Sequence, residues 1–292
     1  MTICVAVKVS EGLVLAADST ATVQGWLGQP GGQPQILKTY DHARKLSHIK
    51  DYPIGTLSWG TSLIGSRSVE SLIKEFEYSL PSVVEEQEKM REIRKAQGQV
   101  PDEKKFAYSV REIAASLLKH ISNFYMAEFE AMSDNKPGLG ILVSGYSSGQ
   151  FFPEQWVLDI PKSPELIELR PNQNGKPNFG SNWFGMTDAI NRLHKGLDDR
   201  VIGKVIELTK LPHEEVLKLF ADLEYPVLFD GMPLQDAIDY ATYLINVVIG
   251  RFRFVLGAPI CGGEVDVAVI TPNAFTWIQR KSWKVKNHQS SK

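Results

Sequence analysis

What this 292-residue chain lacks narrows its chemistry first. It has only two cysteines, Cys4 and Cys261, far apart in apolar surroundings and without metal-ligand spacing. They read as reduced core thiols, not as a disulfide framework or a zinc site. No apolar run approaches the ~18 residues that cross a bilayer, and no charged N-terminal stretch leads into a long apolar one. The expectation is a soluble, cytoplasmic protein that does not engage a membrane. Charge of one sign is missing too: 32 Lys and Arg stand against 34 Asp and Glu, which leaves no electrostatic footprint for nucleic acid. The histidines form no ligand set. His213-Glu214-Glu215 lacks the second histidine of a zincin helix, and His42 and His48 have no third ligand nearby. No Gly-Lys-Ser/Thr phosphate loop is present. Neither a metal nor a cofactor is expected, and any ATP-driven step would need a separate chain.

What is present is enough apolar material for a substantial core, at 43% of residues. The runs 2–9 and 12–18 are β-rich and separated by Ser10-Glu11-Gly12, a tight hairpin that returns the chain to the neighbourhood of residue 2. A loop rich in Gly, Gln and Pro follows from Gly25 to Pro34, then a second strand pair at 45–49 and 54–60. Val69, Leu72, Ile73 and Phe76, and later Val110, Ile113, Leu117, Ile121 and Phe124, recur at the spacing of helix faces. Strands return at 140–145 and 155–160. Helices resume near Asp188, beyond Pro212, and along the stripe Leu234, Ile238, Ala241, Ile245 and Val248. A hairpin over 265–271 and 274–280 closes the pattern. Strands arriving in hairpin pairs argue for α+β with mostly antiparallel sheets, not for a doubly wound parallel sheet. We read 1–292 as a single domain with helical insertions near 85–105, which is heavily charged and solvated, and near 200–231, and a short basic tail from Lys281 to Lys292.

The residue with most chemical promise is Thr2. If Met1 is removed, which a small second side chain favours, Thr2 carries both a hydroxyl nucleophile and a free α-amine to serve as its base. That amine has a reference pKa of about 7.7–8.0, far nearer working pH than the ~10.4 of a lysine. A rival motif, Gly145-Tyr146-Ser147-Ser148-Gly149, matches a G-x-S-x-G elbow. That elbow requires strand, sharp turn and helix, and Gln150-Phe151-Phe152-Pro153 leads into another strand, so it reads as a hairpin turn.

The opening hairpin, with Thr2, Gly12 and Val14-Leu15-Ala16-Ala17-Asp18, resembles that of proteasome β-subunits and their bacterial relatives, including ancestral-type β-subunit proteins. Arg44-Lys45-Leu46 looks like the family's lysine strand, Trp59-Gly60 like its oxyanion turn, and Leu142-Val143-Ser144-Gly145 and Cys261-Gly262-Gly263-Glu264-Val265-Asp266 like its later strands. The resemblance implies a four-layer α-β-β-α sandwich of two mostly antiparallel sheets flanked by helices. It also implies a threonine-type peptidase that cleaves peptides or unfolded chains inside a homo-oligomer, with any ATPase unfoldase on another chain. Thr2 would be the nucleophile, Lys45 the cation beside its amine, with Lys38 as second candidate, and Asp18 the carboxylate that holds the lysine. Gly60 would offer an oxyanion donor. Ser181 and Asp198, or Asp199, would orient the amine, although Gly180-Ser181-Asn182 lacks the second glycine of the family's Gly-Ser-Gly turn and Asp198 arrives late. These departures motivate a second reading, a non-catalytic scaffold, and a third is a small-amide hydrolase on the same fold.

Overall fold

A computed structural model of the chain describes residues 1–25, 35–96, 107–132, 136–163 and 165–282. The first hairpin pairs β1 (Ile3–Val9) with β2 (Gly12–Ala17). β3 (Ala21–Gly25) and β4 (Gln35–Tyr40) form a separate two-stranded ribbon on either side of the Gly-, Gln- and Pro-rich stretch, most of which lies outside the described residues. β5 (Leu46–His48) and β6 (Ile54–Gly60) follow, then a short ribbon of β7 (Leu63–Ile64) and β8 (Arg67–Ser68). Helices α1 (Val69–Ser79), α2 (Val83–Ala96) and α3 (Val110–Phe129) come next. α1 and α3 start where Ser68 and Ser109 accept hydrogen bonds from the backbone N–H groups of Ser71 and Glu112, the usual way a serine satisfies a first-turn donor. The expected insertion at 85–105 is thus helical over α2, and its remainder lies outside the described residues.

The second half supplies β9 (Leu139–Gly145), β10 (Glu154–Ile160), β11 (Ile167–Glu168) and β12 (Gly180–Gly185), then α4 (Asp188–Lys195), α5 (Asp199–Thr209), α6 (His213–Phe220) and α7 (Leu234–Phe254). β13 (Asp266–Thr271) and β14 (Ala274–Gln279) finish it. Two five-stranded sheets result, in the orders β12-β1-β2-β13-β14 and β11-β10-β9-β6-β5, with every neighbouring pair antiparallel.

Strand periodicity distributes the apolar side chains among three cores. Ile3, Val5, Val7 and Val9, with Val14 and Ala16, pack against Ala241, Leu244, Ile245 and Val248 of α7. The alternate residues Cys4, Ala6, Leu13, Leu15 and Ala17 pack against Leu46, Leu57, Leu142 and Val157 of the other sheet. That sheet's far face, including Ile54, Ile141, Val143 and Leu158, meets α1 and α3 through Leu72, Phe76, Ala114 and Leu117. Because both faces of β1 are covered, all seven of its residues are buried. Full burial of one such Val or Ile side chain contributes roughly 1.5–3 kcal/mol, so a segment next to the chain start, where fraying is common, is held rigidly. Leu197, Ile202 of α5 and Val216 of α6 gather into a small cluster of their own. Among the described residues no helix is long and apolar enough to cross a membrane.

Candidate active site

β1 and β2 bring residue 2 beside residue 18 by register: Cys4 lies opposite Ala17, and Asp18 N–H donates to Ile3 O at 3.2 Å. Asp18 is wholly buried. Its Oδ1 accepts from Ile3 N–H (2.9 Å), and its Oδ2 accepts from the N–H groups of Thr20 (3.3 Å) and Gly262 (3.1 Å). Lys45, one residue before β5, is also buried and spends its three ammonium donors on Asp18 Oδ1 (2.6 Å), Thr20 O (2.6 Å) and Met1 O (3.1 Å). A buried charge pair persists only when its remaining lone pairs and protons are satisfied, and here both partners are.

Thr2 itself is buried, and its carbonyl accepts from Met186 N–H at 2.7 Å, just past the end of β12. That close approach requires the glycine at 185, which sits at φ +92°; a Cβ there would come within 2.0 Å of Thr2 O. Met1 is exposed, its amine donating to Thr22 Oγ1 at 2.7 Å. Burial, and then the Lys45 ammonium, hold that amine's pKa below its usual value, against smaller opposite contributions from Cys261 and Asp18. Burial pushes the neighbouring Cys261 thiol up to about 12, with Asp18 adding to the effect, and it raises the Cys4 thiol as well. Thiols kept protonated in this way are not nucleophiles.

A cavity of about 310 Å³ opens beside Lys45. Ala21, Thr22 and Val23 of β3, Tyr40, Arg44, Trp59, Gly60, Leu63 and Glu70 are among the residues that line it. Gly60 ends β6 at φ +89°, where a Cβ would lie 2.2 Å from Gly138 O, so only glycine fits this wall of the cleft. Arg44 and Glu70 face each other in the lining at 3.4 Å. Among the described residues there is no group of three or more His, Cys, Asp or Glu able to hold a metal ion.

Thr2, Asp18 and Lys45 thus meet, with Gly60 on the adjoining cleft. Lys38, by contrast, is exposed on β4 with its ammonium 5.9 Å from the centre of the Tyr40 ring. Two sequence expectations need correction. Ser181 pairs with Val7, whereas Ile3 pairs with Gly185. Because β12 runs antiparallel to β1, its far end reaches Thr2, and four strand positions, about 13 Å of extended chain, separate Ser181 from the site. Asp198 is equally occupied elsewhere. It caps α5 by accepting from Val201 N–H (3.0 Å) and pairs with Arg192 Nε (2.6 Å), a bond that also holds its carboxyl below the usual range. Asp199 is exposed in the first turn of that helix. The residues that sequence reasoning passed over are Gly185-Met186 and Gly262, and the signal for the first was a glycine placed between a strand and the helix start at Thr187-Asp188. Ser147 of the G-x-S-x-G motif sits in the β9–β10 turn, where its Oγ accepts from Val110 N–H and donates to the Glu154 carboxylate.

These features define a mixed α+β protein of antiparallel sheets and helices. No family model and no curated protein matches the chain. Among solved structures it is similar to the Gly-1 mutant of Anbu from Hyphomicrobium sp. strain MC1, with a TM-score of 0.52 and 15% identity over 96% of this chain and 87% of that one. At this identity the likeness is one of fold.

Proposed function

We propose that the chain is a threonine-type amide hydrolase that acts on peptides or unfolded chains once Met1 has been removed. The observation that carries this reading is the Lys45 ammonium. It binds at once the Asp18 carboxylate, the Thr20 carbonyl and the Met1 carbonyl, which is bonded directly to the Thr2 nitrogen. Loss of Met1 turns that nitrogen into a free amine and leaves Lys45 one donor short of a partner beside it. A cation there disfavours protonation of the amine and keeps it basic.

The amine then takes the Thr2 hydroxyl proton, directly or through a water, as Oγ attacks the substrate carbonyl carbon. Backbone donors at the Gly60 turn stabilise the oxyanion. Collapse of the intermediate expels the leaving amine, which takes up the proton, and water hydrolyses the resulting ester to restore Thr2. On this reading the layers run helix, sheet, sheet, helix, the protein works in the cytoplasm as a homo-oligomer, and an unfoldase ATPase would be a separate partner. A scaffold without catalysis is the second reading, motivated by the distance of Ser181 and Asp198 from Thr2; a small-amide substrate is the third.

The pH profile tests the base. The Met1 amine lies one residue upstream of the amine that would react, and burial and Lys45 already depress it. Because the base works unprotonated, kcat/KM for a fluorogenic peptide amide is expected to rise with pH and level off below the ~7.7–8.0 of an ordinary α-amine. A limb at or above that value would remove the Lys45-assisted amine from the mechanism.

A further inference from the structure

Another buried lysine grips the chain segments next to those held by Lys45. Lys281, the first residue of the stretch read as a short basic tail, is only 7% exposed just past β14. Its Nζ donates to Asp266 Oδ2 (2.7 Å), Ser19 Oγ (2.8 Å) and Ala43 O (2.6 Å), and its backbone N–H donates to Asp266 Oδ1 (2.9 Å). The construction repeats that of Lys45, a carboxylate and two further oxygens around one ammonium, and the two lysines grip adjacent points of the same chain segments. Lys45 holds Asp18 and Thr20; Lys281 holds Ser19, the residue between them, and Ala43, two residues before Lys45. Ser19 closes the lattice, with its N–H on Gly262 O (2.9 Å), its carbonyl accepting from Ala43 N–H (2.9 Å) and its hydroxyl donating to Glu264 O.

A buried ion pair adds little net stability compared with apolar residues of equal volume. What this one does uniquely is fix the two segments from which Asp18, Thr20 O and Lys45 emerge. We propose that Lys281, with Asp266, is a positioning residue for the Thr2 site. It touches none of the reacting atoms and acts by locking Ser19 and Ala43, so that the Lys45 ammonium meets the Asp18 carboxylate in one geometry. The catalytic consequence rests on the Thr2 reading above; the structural one does not.

Two variants of the full chain test this: Lys281→Met, and Lys281→Met/Asp266→Asn, which leaves no lone charge and keeps an acceptor for the Lys281 N–H. A misplacement of about 1 Å at a reacting group costs up to ~100-fold, so kcat is expected to fall at least about 10-fold in both, with KM within about twofold. Amide exchange at Ser19 and Ala43 should accelerate in both variants while that of Val5 and Leu15 stays as in the parent. If the single variant does not fold, the double variant decides. A folded double variant with parental kcat and parental exchange at Ser19 and Ala43 would overturn the proposal, as would a loss that follows global unfolding alone. A parent without Thr2-dependent turnover would end the catalytic reading, and exchange alone would then decide the positioning claim.

Discussion

Thr2→Ala is expected to lower kcat/KM for peptide amides by at least about 10³-fold, the scale on which loss of a nucleophile acts when the rest of its site survives. Alanine is smaller than the residue it replaces, so Met1 removal and the free α-amine should persist; the hydroxyl goes, together with the γ-methyl. Stability should barely move, because β1 is anchored by the seven buried residues that follow position 2. A change within about 1 kcal/mol, or roughly 2–4 °C in Tm, is expected. Parallel kinetics and thermal unfolding make the check: turnover that survives the substitution would take Thr2 out of the chemistry, whether the substrate is a peptide or a small amide.

Lys45→Met should act on both axes. It strips the cation from a carboxylate that is wholly buried and leaves Asp18 with only the N–H groups of Ile3, Thr20 and Gly262. Breaking a buried pair on one side costs about 3–5 kcal/mol, which corresponds to a fall of roughly 6–20 °C in Tm for a chain near this size. Activity should fall with it, since the amine loses the charge that keeps it basic. The neutral pair Lys45→Met/Asp18→Asn separates the two effects. It should regain much of the stability, since no charge is stranded, and none of the turnover. A single variant that unfolds at the parental temperature would mean that the ammonium and carboxylate are not the linked pair described above.

The opening hairpin was legible because its signal is local. Nearly continuous apolar, β-rich runs on either side of Ser10-Glu11 specify β1, β2 and hence the meeting of Thr2 with Asp18. Helix faces such as Leu72-Ile73-Phe76 and Ile113-Leu117-Ile121 were legible for the same reason. Register between distant strands was not. Gly180-Ser181 and Gly185 lie at opposite ends of one strand, and only its pairing with β1 decides which end reaches Thr2. Lys38 and Lys45 are similar cations on one stretch of chain; the β3–β4 ribbon, which no run of alternating residues announced, directs the first outward. Asp198 has the place of a helix cap and the composition of a catalytic acid, and Arg192, one helix earlier, settles its partners. Lys281 carried the least signal. A lysine beside other basic residues reads as solvated, and its partner Asp266 faces it only because the β13–β14 hairpin folds back.

The most direct measurement is the intact mass of purified protein before and after treatment with an electrophile that must react with both the amine and the hydroxyl of an N-terminal threonine. The account predicts a chain lacking Met1 that gains a single adduct, with no adduct on Thr2→Ala. A chain that keeps Met1, or one that has lost it and gains no adduct, would contradict it and favour the scaffold.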